Sequence, residues 1–242
     1  MYRHLDPTKI VETARALRQR VIERFPDAGL GRLSGELLAV AEEAAAVSEW
    51  LARPHLLLRT AGWFGIVLVG AILLTATVTA ISSVPASPVF SSVADLLQGL
   101  EAVINEVVLT GIAVFFFFTL ETRLKRARAM RELHVLRSMA HIIDMHQLTK
   151  DPERVAGAGP DTPSSPRRTL TPFELMRYLD YCSESLSIIS KIAALYVQQF
   201  TDPVTVSAVN DLEDLTSGLS RKIWQKIMIL DRMPVSTAAH DA

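Results

Sequence analysis

One cysteine, Cys182, in 242 residues leaves no partner for an intrachain disulfide and no set of thiolates for a metal cage. Aromatic residues make up 7% and glycines number 11, which fits poorly with the turns and packed rings of a sandwich or barrel, so almost no strand is expected. Neither sign of charge dominates. Against 26 Asp and Glu stand 25 Lys and Arg, a formal net charge of −1, with no basic excess to argue for nucleic acid and no acidic excess for a solvating tail. The chain also lacks a glycine-rich phosphate loop, a G-x-S-x-G elbow, an H-E-x-x-H pair and an EF-hand loop, so neither catalysis nor a cofactor is expected. Its first sixty residues lack the short apolar run and small-residue cleavage site of a secretory signal, and the N-terminus is expected to be retained.

What the chain does have is apolar sequence, 49% of residues, with a mean hydropathy of +0.25. That value is high for a protein wholly in water and low for one wholly in lipid, so part of the chain faces each. Ala61 to Ile81 reads AGWFGIVLVGAILLTATVTAI, about 21 residues without a charge, enough at 1.5 Å per residue to cross a hydrocarbon core of ~30 Å. Ala102 to Leu120, AVINEVVLTGIAVFFFFTL, is nearly as long and carries one acid, Glu106. Two buried helices of a soluble core would need more covering elements than the rest of the chain supplies. Arg53 and Arg59 precede the first span, and Arg123, Lys125, Arg126, Arg128 and Arg131 follow the second, while residues 82–101 carry no Lys or Arg. The positive-inside rule then puts both termini in the cytoplasm, with Trp50 and Trp63 at the inner edge of a bacterial-type inner membrane. The external connection offers Val89, Phe90, Val93, Leu96, Leu97 and Leu100 at helical spacing, as in an interfacial helix.

The flanking parts read as helices with narrow apolar seams. Asp6-Pro7 is an N-cap followed by proline at N1, opening a helix with Ile10, Ala14, Leu17 and Val21 on one side. Leu33, Leu37, Val40, Ala44, Val47 and Leu51 form a second seam, and the two helices should make an antiparallel hairpin. After the second span the helix should continue, with Leu133, Leu136, Ala140 and Ile143 as its seam, and stop before Asp151-Pro152. Thr171-Pro172-Phe173-Glu174 is a capping box. It opens a long helix with Leu175, Leu179, Cys182, Leu186, Ile189, Ala193, Tyr196 and Phe200 in register. Asp202-Pro203 starts the last, with Ala208, Leu212, Leu215, Leu219, Ile223 and Ile227 on one face and acids early and bases late, as the helix dipole favours. One intramolecular bundle accounts for these seams more simply than an extended intermolecular coiled coil.

The expected organisation is therefore an N-terminal cytoplasmic helical hairpin (1–58) and a transmembrane hairpin (59–121) with a short external connection (82–101). A cytoplasmic helix (122–149), a disordered Pro-rich linker (150–170), a C-terminal helical pair (171–232) and a disordered tail (233–242) follow. The fold class is an all-α membrane protein: a two-helix transmembrane hairpin with a cytoplasmic antiparallel helical bundle.

Three groups of residues are candidates for chemistry. Asn105, Glu106 and Thr110 are polar within the second span; Glu106 and Thr110 share a face and, repeated around an oligomer, would line a cation pathway. Alternatively, Glu106 lies about 7 Å inside the outer boundary and reaches back to the interface. The segment from His134 to Asp151 holds three of the six histidines; His141, Asp144 and His146 are its candidate metal ligands, although one helix alone cannot converge them. Arg137 and His141, four apart on one face, resemble the arginine–histidine pair of HEPN-type ribonucleases, which would imply nuclease chemistry, but the spacing is shorter than that family's motif. Arg123, Lys125, Arg126 and Arg128 are candidates for lipid headgroups, each worth about 1 kcal/mol near an anionic surface.

The expected function is that of an anchored assembly or interaction module: a homo-oligomer that meets the lipid bilayer, its own copies and a cytoplasmic protein, and no nucleic acid. The alternative is a small oligomeric ion channel or membrane-disrupting effector with Glu106 and Thr110 lining the pore, in a layout similar to two-span effectors of bacterial antiviral systems.

Overall fold

In a computed structural model of the chain, residues 4–82, 93–152, 162–165 and 170–232 are described. Seven helices and no strand occur among them: α1 (Pro7–Arg24), α2 (Gly29–Ala52), α3 (Leu56–Ser82), α4 (Val93–Phe118), α5 (Leu120–Leu148), α6 (Pro172–Gln198) and α7 (Pro203–Asp231). Most of the expected linker, 153–161 and 166–169, lies outside the described residues, as do the expected tail 233–242 and the connecting residues 83–92. The chain divides into two compact units, Met1–Arg53 with Arg128–Ala242, and Pro54–Ala127.

The first unit is a helical bundle whose starts are set by local chemistry. Asp6 accepts the Thr8 N–H at 2.9 Å, and proline follows, where a missing N–H costs nothing. Thr171 Oγ1 accepts the Glu174 N–H at 3.2 Å while Glu174 Oε2 accepts the Thr171 N–H at 2.8 Å, a complete capping box. Asp202 takes both the N–H and the hydroxyl of Thr205, at 3.1 and 3.0 Å. Each cap satisfies donors that a helix start would otherwise leave open.

The seams then pack. Ile10, Ala14, Leu17 and Val21 of α1 and Leu133, Leu136, Ala140 and Ile143 of α5 are all buried; so are Leu33, Leu37, Ala44, Val47 and Leu51 of α2, with Val40 partly so. Helix α6 departs from the narrow seam expected of it. Besides Leu175, Leu179, Cys182, Leu186, Ile189, Ala193 and Tyr196 it buries Tyr178, Tyr181, Ser185, Ile188, Ile192 and Leu195, because it is the central helix and packs on α1, α2 and α7; Phe200, expected on the seam, lies past its end at Gln198 and is partly buried. Phe25, in the turn after α1, meets Tyr178 and Tyr181 edge-on at ring distances of 5.5 and 6.2 Å. Arg20 of α1 and Glu184 of α6 form a two-armed ion pair, and Gln198 bonds both backbone groups of Leu5.

The second unit is different in kind. Leu56–Thr79 and Gly99–Phe118, 24 and 20 residues, are long and apolar enough to cross a membrane by length and composition, and only 11% and 0% of their most apolar stretches are buried. Helix α4 begins at Val93, so the described part of the expected external connection is continuous with the second apolar segment and not a separate helix. Where α3 and α4 meet, the contact is through glycine: a Cβ on Gly62 would stand 2.9 Å from the Phe117 carbonyl oxygen, and one on Gly65 2.6 Å from the Phe117 ring. Ala61 and the Ala71, Thr75, Thr79 row, which also offer small residues four apart, are exposed; the Thr75 and Thr79 hydroxyls bond carbonyls of their own helix. Only Thr119 separates α4 from α5. The Thr119 N–H donates to Phe115 O and the Arg123 N–H to Thr119 O, both at 3.0 Å, so helical hydrogen bonding runs through the junction as expected.

Candidate functional site

The densest polar arrangement beside the apolar helices is built on Glu121, in the first turn of α5. Its Oε1 accepts the backbone N–H of His55, which precedes α3, at 3.3 Å, and the Lys125 ammonium, one turn on, at 3.0 Å. Its Oε2 accepts Arg59 Nε at 3.1 Å. A carboxylate here satisfies an open donor at the start of α3 and sits at the positive end of that helix's dipole. Burial by itself raises the Glu121 carboxyl; the Lys125 and His55 hydrogen bonds and the charges of Lys125 and Arg59 outweigh it and hold the group below the usual carboxylate range. Sequence reasoning missed Glu121 because its partners on α3 are more than sixty residues away and, next to a basic run, one acid reads as a surface pair.

Beside this knot lies a crevice of about 410 Å³ between Arg59, Trp63 and Ile66 of α3 and Phe117, Phe118 and Thr122 of the α4–α5 junction. It is charged at one end and aromatic and aliphatic at the other.

The cations expected at lipid headgroups have separate fates. Lys125 is buried, its side chain 9% exposed, with its ammonium held by Glu121. Arg128 lies over the Trp50 ring at 5.8 Å and near Glu43 and Glu132, so it is engaged within the bundle unit. Arg123 is exposed and stacks on Phe116 at 5.3 Å, and Arg126 is half-buried.

Glu106 and Thr110 are half-buried and Asn105 is exposed. Phe117 is eleven residues after Glu106 and seven after Thr110, within about 20° of each around the helix, so both polar residues share the face that meets the glycines of α3. The Thr110 hydroxyl donates to the Glu106 carbonyl at 2.6 Å.

His141, Asp144 and His146 are not brought together. His141 is exposed, Asp144 accepts Gln147 Nε2 at 2.6 Å, and the His146 ring wedges between Gly29 and Tyr178, with Nδ1 3.5 Å from the Tyr178 hydroxyl. Among the described residues no group of three or more His, Cys, Asp or Glu is placed to hold a metal ion. Arg137 faces Asp211 of α7 at 4.0 Å.

Around His146 the structure assembles a second polar cluster. Lys226 Nζ donates to the Gln147 carbonyl at 2.7 Å, a cation on the open C-terminal carbonyls of α5, and Lys150 lies 5.2 Å over the Tyr178 ring. Burial, then Lys150 and Arg32, hold the His146 imidazolium below the usual range. Cys182, fully buried, has its thiol pushed up to about 12 by burial. No family model, curated protein or solved structure matches this chain. What these groups do is thus a matter of their own chemistry. The Glu121 knot pins two helix starts together, and the His146 cluster closes one end of α5.

Proposed function

We propose that this is an integral membrane protein in which α3 and α4 span the bilayer as a hairpin and hold a cytoplasmic helical bundle that assembles with its own copies. The observation that carries this reading is the bareness of the two apolar helices. Leu57, Phe64 and Phe118 are 85%, 70% and 77% exposed, and more than a dozen further large apolar side chains of α3 and α4 are likewise uncovered. At roughly 1.5–3 kcal/mol for burying each such side chain, leaving them in water costs tens of kcal/mol, more than a domain's whole stability. A buried core helix would be covered by its own chain; these are not.

The bonds of Glu121 to His55, Arg59 and Lys125 support the proposed orientation, because they bring the basic flank before α3 and the one after α4 to the same end of the pair. Self-association has less to draw on than the sequence offered, since the seams are used within the chain. One exposed apolar surface of the bundle is an outward stripe of Trp224, Met228 and Ile229 on α7, edged by Arg221 and Arg232. A pore needs Glu106 and Thr110 to face an axis between copies, and their place on the Phe117 face counts against it.

Alkaline carbonate should leave the protein in the membrane pellet; release into the supernatant would sink the reading. In a Cys182→Ala background, Ser91→Cys should react with an impermeant maleimide added to intact spheroplasts, and Ser217→Cys only after permeabilisation. Strictly monomeric protein by light scattering in mild detergent would remove the assembly part. A cation flux in liposomes that Glu106→Gln abolishes would restore the pore.

A further inference from the structure

The crevice beside Glu121 carries a further inference, which rests on the membrane reading above. We propose that it binds one phospholipid of the leaflet on the basic side, the phosphate on Arg59 and the Thr122 rim, and the start of one acyl chain along Trp63, Ile66 and Phe118.

Three observations carry it. The polarity of the crevice changes along its length in the same sense as that of a lipid: Arg59, Glu121 and Thr122 at the end of the basic flank, Trp63, Ile66, Phe117 and Phe118 toward the middle of the apolar helices. Its extent along α3, from Leu58 to Ile66, is about 12 Å at 1.5 Å per residue, room for a phosphoglycerol and the first methylenes but not for a whole lipid. The charge at the polar end suits an anion. Arg59 gives only its Nε–H to Glu121, and its side chain is 62% exposed, so the η-nitrogens form a fork at the rim, the donor geometry that matches phosphate. Glu121 does not repel the ligand, because Lys125, Arg59 and the His55 N–H already compensate its charge. Gly62 and Gly65 let Phe117 seat directly against α3, and Gly62 and Phe117 form the inner wall of the crevice. A free phosphate would leave the aromatic half unused, and an uncharged lipid would leave Arg59 unanswered.

The test uses Trp63 as reporter. The full chain carrying Trp50→Phe and Trp224→Phe, purified in nonionic detergent, is titrated with phosphatidylglycerol brominated on its acyl chains, and with a diacylglycerol bearing the same brominated chains. The phosphatidylglycerol should quench Trp63 saturably at one lipid per chain. The diacylglycerol should need about five- to tenfold more, the value of about 1 kcal/mol for one cation near an anionic lipid. Arg59→Gln should erase that difference. Because this variant also loses a bond to Glu121, the comparison of the two lipids on the chain with Arg59 intact decides even if the variant fails to fold. Equal midpoints, or quenching that never saturates, would overturn the site. Failure of the membrane reading is recognised separately by release of the protein in carbonate.

Discussion

The two units use one alphabet of Leu, Ile, Val, Ala and Phe for opposite ends. In α1, α2, α6 and α7 most apolar residues lie on faces that are buried against other helices, the stripe of Trp224, Met228 and Ile229 being an exception, and the remaining sides carry Arg, Lys, Asp and Glu. In α3 and α4 they run around the whole circumference, and nearly all are uncovered. A seam with a polar back suits water; apolar residues without a back suit lipid, which is the observation behind the membrane reading proposed above. The same contrast appears in the polar contacts. Many charges of the bundle sit on its rim, where exposed pairs such as Lys9–Glu12 contribute little, whereas Glu121 and Lys125 at the end of the apolar pair are drawn inward.

The sharpest way to break this comparison is to make the same cut in both units. Leu186→Ala removes a fully buried side chain of α6 and should cost about 2–5 kcal/mol of bundle stability, read by thermal or denaturant unfolding in detergent. Leu74→Ala, at a position 65% exposed, should move that transition by less than about 0.5 kcal/mol and leave the protein in the membrane pellet. Equal losses would end the distinction between the units. Next in size, Glu121→Gln takes a carboxylate from beside the buried Lys125 ammonium and should cost about 3 kcal/mol, and adding Lys125→Met should restore most of it. No recovery in the double variant would mean that the pair is not the source of the loss. Thr171→Ala, which opens the capping box at the start of α6, should cost about 1 kcal/mol, with a matching fall in melting temperature.

The smallest expected effect is with pH. His146 is held below the ordinary histidine range, so the unfolded chain takes up its proton first, and this contribution to stability falls as pH drops below about 6.5. The loss ends once the folded-state ring is also protonated. It involves at most one proton, so its slope stays below ~1.4 kcal/mol per pH unit. His146→Gln should flatten it; an unchanged pH profile would assign the dependence to other groups.

Much of the bundle could be read in advance, because period and capping are local. Asp6-Pro7, Thr171 to Glu174 and Asp202-Pro203 mark helix starts with their neighbours alone, and spacings of three and four picked out Ile10, Leu17, Leu136 and Leu186 as buried. Centrality is not local. Nothing in the pattern of α6 distinguishes a helix buried on one side from one wrapped by three neighbours, and Tyr178, Tyr181 and Ile192 went unassigned for that reason. The site was less legible still. Arg59, His55 and Glu121 meet only because α3 and α4 come together at Gly62, Gly65 and Phe117, and small residues four apart also occur in the Ala71, Thr75 and Thr79 row, which is exposed. Lys125 looked like one more cation in a basic run, and only its position relative to Glu121 turns it inward.

The lone cysteine gives the bundle an internal clock. Cys182 faces inward from its central helix, with no exposed surface and a thiol that ionises only at about 12. The thiolate is the form that attacks an alkylating reagent, so near neutral pH the residue is silent while the bundle is closed and ordinary once it opens. The rate at which a thiol reagent consumes Cys182 therefore times the opening of the bundle in the intact protein, with no label introduced, and a bound partner that holds the bundle shut would slow it.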